Sequence, residues 1–256
     1  MQFLAFIISL WPAESTLEVK IVNKWLKIVQ HLLGACLPLP CHCVLCLRPS
    51  GRKIALCREC EACLPWLISP CNRCGLMMRE GICVKCLRQK LPFERCQALF
   101  DYAWPVDEFI GQWKYAGELY FAKLLGTLMA ERLSLRETVD CIVPLPLHPL
   151  RQRERGFNQT IELASQIADL KGLPLDRWSC TKIKSTPAQS SLGKAARMQY
   201  LQASVFAIDK SFQAKHVLVI EDVVTTGSTV GAFTMALKHA GVETVDIWAV
   251  CRTHPD

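Results

Sequence analysis

An α/β domain built on a parallel sheet, preceded by a small metal-binding domain with four-cysteine sites, is the fold class this sequence predicts, on three observations. From about residue 96 onward, short apolar runs alternate with helix-compatible stretches, the texture of βαβ units. Eleven of the 15 cysteines crowd between Cys36 and Cys86, most of them in CxxC pairs. Near the C-terminal end, Val217-Leu218-Val219-Ile220 runs into Glu221 and Asp222, then into a Thr/Gly/Ser/Thr loop and a helix-compatible stretch. That last pattern is a strand handing its carboxyl end to a phosphate cradle.

At 256 residues the chain can hold two domains. The uneven cysteine distribution divides it into an N-terminal extension over 1–35, a zinc-binding domain over 36–95 and the α/β domain over 96–256. Met1 to Leu10 is apolar but far shorter than the roughly 20 residues of a spanning helix, so no stable membrane insertion is expected. A signal peptide is the rival reading, and the thiol-rich segment behind it argues against one. Residues 17–33 place Val22, Leu26, Val29 and Leu33 at helical spacing, which predicts one amphipathic helix.

The cysteine pairs follow in order: Cys43 with Cys46, Cys57 with Cys60, Cys71 with Cys74, and Cys83 with Cys86. Each CxxC knuckle points two sulfurs at one ion, and two knuckles complete a tetrahedral four-sulfur shell, so four pairs imply two structural zinc sites. Sequential pairing closes the shorter loops, with interleaved pairing left open. Cys41 and Cys63 offer alternative registers, while Cys36, Cys96, Cys141, Cys180 and Cys251 read as buried apolar residues. No thioredoxin-like pattern surrounds any pair, which disfavours a redox motif. Thiolate metal sites suit a reducing compartment, hence a cytoplasmic protein. The formal charge of +7 falls to about +3 once eight thiolates and two Zn²⁺ are counted, so any nucleic-acid argument rests on local clusters.

In the α/β region, Asp107 to Lys114 and Leu119 to Leu133 read as helices, and Val139 to Val143 as a buried strand. The alternate prolines of Val143-Pro144-Leu145-Pro146-Leu147-His148-Pro149 end that strand in an extended loop. Asn158 caps a helix running to about Leu170. Residues 181–203, rich in Ser, Lys and Gln, read as a hood without apolar period. The strand at Val217 is followed by a helix from about Thr229 to Ala240, closed by Gly241, and by a strand over Val245 to Val250.

In an open α/β sheet, ligands gather beyond the carboxyl ends of the strands. Glu221 and Asp222 there can accept from a vicinal diol or hold Mg²⁺, and Thr225 to Thr229 offers consecutive amides and four hydroxyls to a phosphate. No lysine follows the glycine as in a Walker A loop, and no GxGxxG occurs, which disfavours nucleoside triphosphates and dinucleotides. Arg151, Arg153 and Arg155, with Lys182, Lys184, Lys194 and Arg197, form a second cluster able to neutralise a diphosphate or track a single-stranded backbone. Trp113, Tyr115 and Phe157 are candidate stacking faces for such a strand.

The stretch Val217 to Val230, VLVIEDVVTTGSTV, closely resembles the phosphoribosyl diphosphate (PRPP) signature of type I phosphoribosyltransferases. With Cys43-Val44-Leu45-Cys46, Cys71-Asn72-Arg73-Cys74-Gly75, Val143-Pro144-Leu145-Pro146, Arg155-Gly156-Phe157-Asn158-Gln159 and Trp248-Ala249-Val250-Cys251-Arg252-Thr253, residues 32–253 resemble the ComF/GntX family. These are double-zinc-finger, phosphoribosyltransferase-like proteins linked to natural competence and DNA utilisation. The resemblance implies a type I phosphoribosyltransferase-like domain in which Glu221 and Asp222 contact the ribose hydroxyls. Thr225, Thr226, Gly227, Ser228 and Thr229 would bind the 5′-phosphate, with Arg151 and Arg155 as further PRPP contacts. Arg197 matches the family's hood motif, Thr186-x₂-Gln189-x₂-Leu192-x₄-Arg197, and joins Glu221 and Asp222 as a catalytic candidate. The implied function is an accessory role in DNA uptake, binding PRPP with Mg²⁺ and single-stranded DNA, with partners in the uptake machinery. The alternative is an active phosphoribosyltransferase acting on a nucleobase or amine. Thr225 stands where hypoxanthine-guanine transferases carry an Asp that serves the incoming base, which disfavours that substrate class.

Overall fold

The computed structural model describes residues 41–78, 81–116, 120–183 and 205–253. The helix expected over 17–33, Cys36, Lys184, Lys194 and the hood with Arg197 lie outside them. Four strands form the main sheet, all parallel, in the order β1 (Arg95–Asp101), β6 (Thr244–Arg252), β5 (His216–Val224), β2 (Cys141–Pro144). Parallel strands need crossovers, and the crossovers cover both faces, so β5 and β6 read as near-continuous apolar runs. Every residue of β5 except Val223 is buried.

Strand alternation sorts the core into two layers. Leu218 and Ile220 of β5 and Trp248 and Val250 of β6 face one layer. It is filled by α3 (Val106–Ala116), α4 (Tyr120–Arg132) and α6 (Gln159–Lys171) through Ile110, Trp113, Leu125, Leu128 and Leu163. Val217, Val219, Val245 and Ile247 face the other layer, against Val230, Phe233 and Leu237 of α7 (Ser228–His239). Among the described residues no helix is long and apolar enough to cross a membrane.

The helix boundaries follow local chemistry. Asn158 accepts the Thr160 N–H at 3.2 Å and so caps α6, whose end is set by Gly172 in the left-handed region. Three elements carry no clear sequence signal. Strand β1 mixes polar and apolar residues, and a short antiparallel hairpin, β3 (Cys180–Lys182) with β4 (Phe206–Ile208), takes up the first residues assigned to the hood. The segment after the alternate prolines is the helix α5 (Pro149–Arg155), with Pro149 at its first turn and Gly156 at φ 84° ending it. The proline that closes an extended segment also opens a helix, because its fixed φ suits the first turn and its missing N–H is not needed there.

The cysteine-rich segment packs on the outer edge of β1. Leu67 N–H donates to Leu99 O, Asp101 N–H to Pro65 O and Cys96 N–H to Arg73 O, each at 2.9 Å, so the edge strand's free backbone groups are satisfied. Trp66 lies 4.5 Å from Phe100 between ring centroids, under the Arg132 guanidinium at 4.3 Å. Two short helices, α1 (Arg58–Ala62) and α2 (Val84–Arg88), complete the segment, and Glu61 of α1 accepts from Arg132 at 2.6 Å and from Arg52.

Glu94 joins that segment to the sheet, accepting from Lys238 Nζ at 2.8 Å and from Val245 N–H at 2.7 Å. Burial works against its charge, but Lys238 and the Val245 amide outweigh it and hold the carboxyl below its ordinary value. A lowered folded pKa adds stability above the unfolded value and loses it as pH falls through the folded one. Glu94→Gln should therefore cost about 1 kcal/mol at neutral pH, discounted for partial exposure, and flatten the loss of stability below about pH 4.5 in denaturant titrations.

Candidate functional site

The site lies at the carboxyl end of β5. Because side chains alternate along a strand, Asp222 shares the face of Leu218 and Ile220, toward α3 and α6. There Asp222 Oδ2 accepts from Lys114 Nζ at 2.6 Å and from Gln159 Nε2 at 2.8 Å, while Oδ1 accepts from Val223 N–H at 2.6 Å. Arg155 Nη1 donates to Gln159 Oε1 at 2.5 Å, which orients the amide so that its NH₂ meets the carboxylate. Glu221 Oε1 accepts the Asp222 N–H at 2.9 Å. Both acids are buried, Glu221 at 8% and Asp222 at 5% exposure.

Two adjacent buried carboxylates share a field that only one of them can answer as an anion. Burial disfavours charge on Asp222, yet the Lys114 ammonium, with the Glu221 and Gln159 hydrogen bonds, holds it well below the usual carboxylate range. Burial and the charge on Asp222 push Glu221 well above that range. Burial depresses Lys114, and the charge on Asp222 more than offsets it. Burial also lowers Lys182, as does the charge of Arg151, while Glu221 pulls it upward. Lys182 of β3 thus belongs to the field around the acids, with Arg151 of α5 as its neighbour.

Past Val224 the chain opens. Thr225 and Thr226 are exposed, Gly227 adopts φ 80°, and Ser228 and Thr229 begin the 12-residue helix α7. Thr226 Oγ1 lies 2.7 Å from Ser228 Oγ and accepts the Ser228 N–H at 3.3 Å, so the loop is ordered by its own hydroxyls. A helix N-terminus presenting amides and hydroxyls can receive a dianionic phosphate.

Among the other sequence candidates, Arg151 and Arg153 are exposed on α5 and Arg155 is half-buried through its bond to Gln159. Trp113, a candidate stacking face, is fully buried in the core and cannot stack a base; Phe157 is half-buried against the same core. The Tyr115 side chain and Arg197 lie outside the described residues. Lys114 and Gln159 are the residues that sequence reasoning missed as partners of Asp222. Gln159 belongs to a recognised motif, but no signal marks Lys114 apart from its neighbour Trp113, whose burial fixes the last turn of α3 beside β5.

The cysteines assemble in sequential pairs: Cys43, Cys46, Cys57 and Cys60 in one cluster, Cys71, Cys74, Cys83 and Cys86 in the other, with all Sγ atoms of a cluster within 4.8 Å of one another. Neither Cys41 nor Cys63 takes part. Cys46 and Cys57 Sγ are 3.8 Å apart and Cys74 and Cys83 Sγ 3.6 Å. A tetrahedral four-sulfur shell at zinc–sulfur distances has edges of about 3.8 Å, so the donor sets fit a metal ion. The thiols also compete for charge. Backbone N–H groups bring Cys46 to about 6, and against the pull of burial they bring Cys71 to about 6, while burial and neighbouring thiols push Cys60 and Cys86 far up. Four thiolates coexist at such distances only around a cation. Of the remaining cysteines, Cys96, Cys141, Cys180 and Cys251 are buried as expected.

The second cluster is joined to the end of β5 through one side chain. Arg252, only 3% exposed, donates from Nε to Cys74 O at 3.0 Å and from Nη1 to Val224 O at 2.8 Å. Gly75 lets the knuckle approach: it holds φ 71°, and a Cβ there would stand 3.0 Å from Cys96 O.

No protein-family model matches the chain. The DNA utilization protein YhgH of Salmonella typhimurium is 31% identical over 226 residues, covering 85% of this chain and 99% of that one. Competence protein F of Haemophilus influenzae is 28% identical over 192 residues, covering 71% of this chain and 84% of that one. Among solved structures, the glutamine PRPP amidotransferase from B. subtilis is similar at a TM-score of 0.36 and 18% identity, covering 50% of this chain and 25% of that one. Identity at that level along nearly the whole YhgH chain, together with two four-cysteine clusters and a parallel-sheet domain, establishes that this chain belongs to the ComF/GntX family.

Proposed function

We propose that the chain is a ComF-like accessory protein of DNA uptake or DNA utilisation that binds PRPP, with Mg²⁺ on its diphosphate, at the carboxyl end of β5. Single-stranded DNA would bind on the basic face formed by Arg151, Arg153 and Lys182. The observation that carries the reading is the continuity of site elements along one strand: a charged Asp222, then the exposed hydroxyl loop 225–229 at the start of α7. A ribose 5-phosphate needs these two features in this order, hydroxyl acceptors first and an anion cradle beyond. The relatives' names, DNA utilization protein and competence protein, supply the process. The eight clustered cysteines would hold two structural zinc ions, which stabilise the 36–95 segment as a docking or DNA-gripping element beside the 96–256 domain. The reducing environment those thiolates require makes the cytoplasm its compartment.

PRPP at about a hundredfold over its Kd should raise the melting temperature by roughly 5 °C or more, and Asp222→Asn should remove that shift. An unchanged melting curve for the native protein would overturn the PRPP reading. Release of diphosphate from PRPP in the presence of a nucleobase panel would instead reveal a working transferase.

Elemental analysis should give about two zinc ions per chain, and Cys83→Ser about one, with stability falling alongside. A native chain that purifies with intact fold and no zinc would remove the metal assignment.

Single-stranded oligonucleotide affinity should fall steeply with salt. Arg151→Ala with Arg153→Ala should lower the log–log salt slope by about 0.7 for each phosphate these arginines neutralise. Salt-independent binding, or normal transformation after deletion of the gene, would remove the DNA half of the proposal.

A further inference from the structure

Lys114 is the one cation bonded directly to the acid pair among the described residues. It sits on the last turn of α3, next to the fully buried Trp113, with its own side chain 22% exposed. Its ammonium has three N–H donors, of which Asp222 Oδ2 takes one at 2.6 Å. A carboxylate has about four acceptor positions, and on Asp222 the Lys114, Gln159 and Val223 donors fill three while the side-chain hydrogen bond with Glu221 takes the fourth. A sugar hydroxyl therefore reaches Asp222 by taking the place of the Glu221 donor. A divalent cation bound directly to Asp222 would stand against an ammonium already at contact distance, a like-charge approach that a half-buried site screens poorly.

We propose that Lys114 is the built-in counter-ion and positioning residue of this site: it holds Asp222 as a charged ribose ligand, so that the acid pair needs no divalent cation of its own. The proposal rests on the reading of Glu221 and Asp222 as a ribose-binding pair. It deepens that reading by assigning any Mg²⁺ requirement to the ligand's diphosphate rather than to the protein's acids. Gln159, oriented by Arg155, supports the same carboxylate oxygen from α6, so two helices converge on one atom.

Ribose 5-phosphate separates the two roles, because it carries the hydroxyls and the phosphate but no diphosphate. Calorimetric titration should give the native protein the same affinity in Mg²⁺ and in EDTA, within about twofold. Lys114→Met should weaken ribose 5-phosphate on the order of thirtyfold, because the carboxylate that accepts from the sugar loses the cation that keeps it ionised, while Lys114→Arg recovers most of it. Inorganic phosphate, which needs only the 225–229 loop, should bind Lys114→Met as it binds the native chain by ³¹P titration. A merely structural role would move both ligands together. A strict Mg²⁺ requirement for ribose 5-phosphate, or undiminished binding by a folded Lys114→Met protein, overturns the proposal. A thermal double-mutant cycle gives a readout without ligand. Lys114→Met leaves an uncompensated buried carboxylate, so adding Asp222→Asn should restore part of the lost melting temperature, whereas additive losses count against the pairing. If the native chain binds neither ribose 5-phosphate nor PRPP, the PRPP reading falls, and the cycle still decides whether Lys114 is the partner of Asp222.

Discussion

Two adjacent carboxylates buried at the end of a central strand are the constraint around which this molecule is arranged. Charge in such a place must be answered by a cation and by hydrogen bonds, or it is extinguished by a proton. The chain uses both answers. Lys114 and Gln159 meet Asp222, and burial beside that charge drives Glu221 toward its protonated form. Those partners come from two helices on one face of the sheet, so the packing of α3 and α6 against β5 through Trp113 and Leu163 has an electrostatic consequence: it delivers an ammonium and an amide to the same oxygen atom. Burial of the core and charge on the site are one arrangement.

The cysteine-rich segment meets a second constraint, the open edge of the sheet. Strand β1 would otherwise expose a row of backbone donors and acceptors. Residues 65–73 satisfy them, and Trp66, Arg132 and Glu61 bind the segment to α4. On the far side, Arg252 spans from Cys74 O to Val224 O, the last residue before the hydroxyl loop. A metal cluster with four thiolates carries net negative charge, and a buried guanidinium beside it is the natural complement. The same side chain joins the second cluster to the last residue of β5, so the cluster and the strand end share a residue.

The signals legible along the chain are those that act over a few residues. CxxC spacing marks eight sulfurs for two clusters, and the structure settles their pairing as the sequential one that closes the shorter loops. Asn158 announces α6 through a cap completed two residues later, and the apolar run at Val217 announces β5. Local signals also mislead. The prolines around Pro146 read as a loop alone, although Pro149 opens α5 and thereby turns Arg151, Arg153 and Arg155 from loop residues into helical ones. Trp113 looks like a base-stacking face because an aromatic beside a lysine is ambiguous in one dimension; packing resolves it into the core.

By itself, then, the sequence determined the fold class, the two metal-binding clusters and the strand, acid pair and hydroxyl loop in their order, because each is encoded by spacing and alternation within one segment. Only the tertiary structure decided which charge answers Asp222, which of the two acids is held ionised, and which arginine links a cysteine cluster to the end of β5. Those outcomes depend on burial and on distances of about 3 Å between residues far apart in the chain, and electrostatic energy at that range is set by the surroundings of a group rather than by its neighbours in sequence.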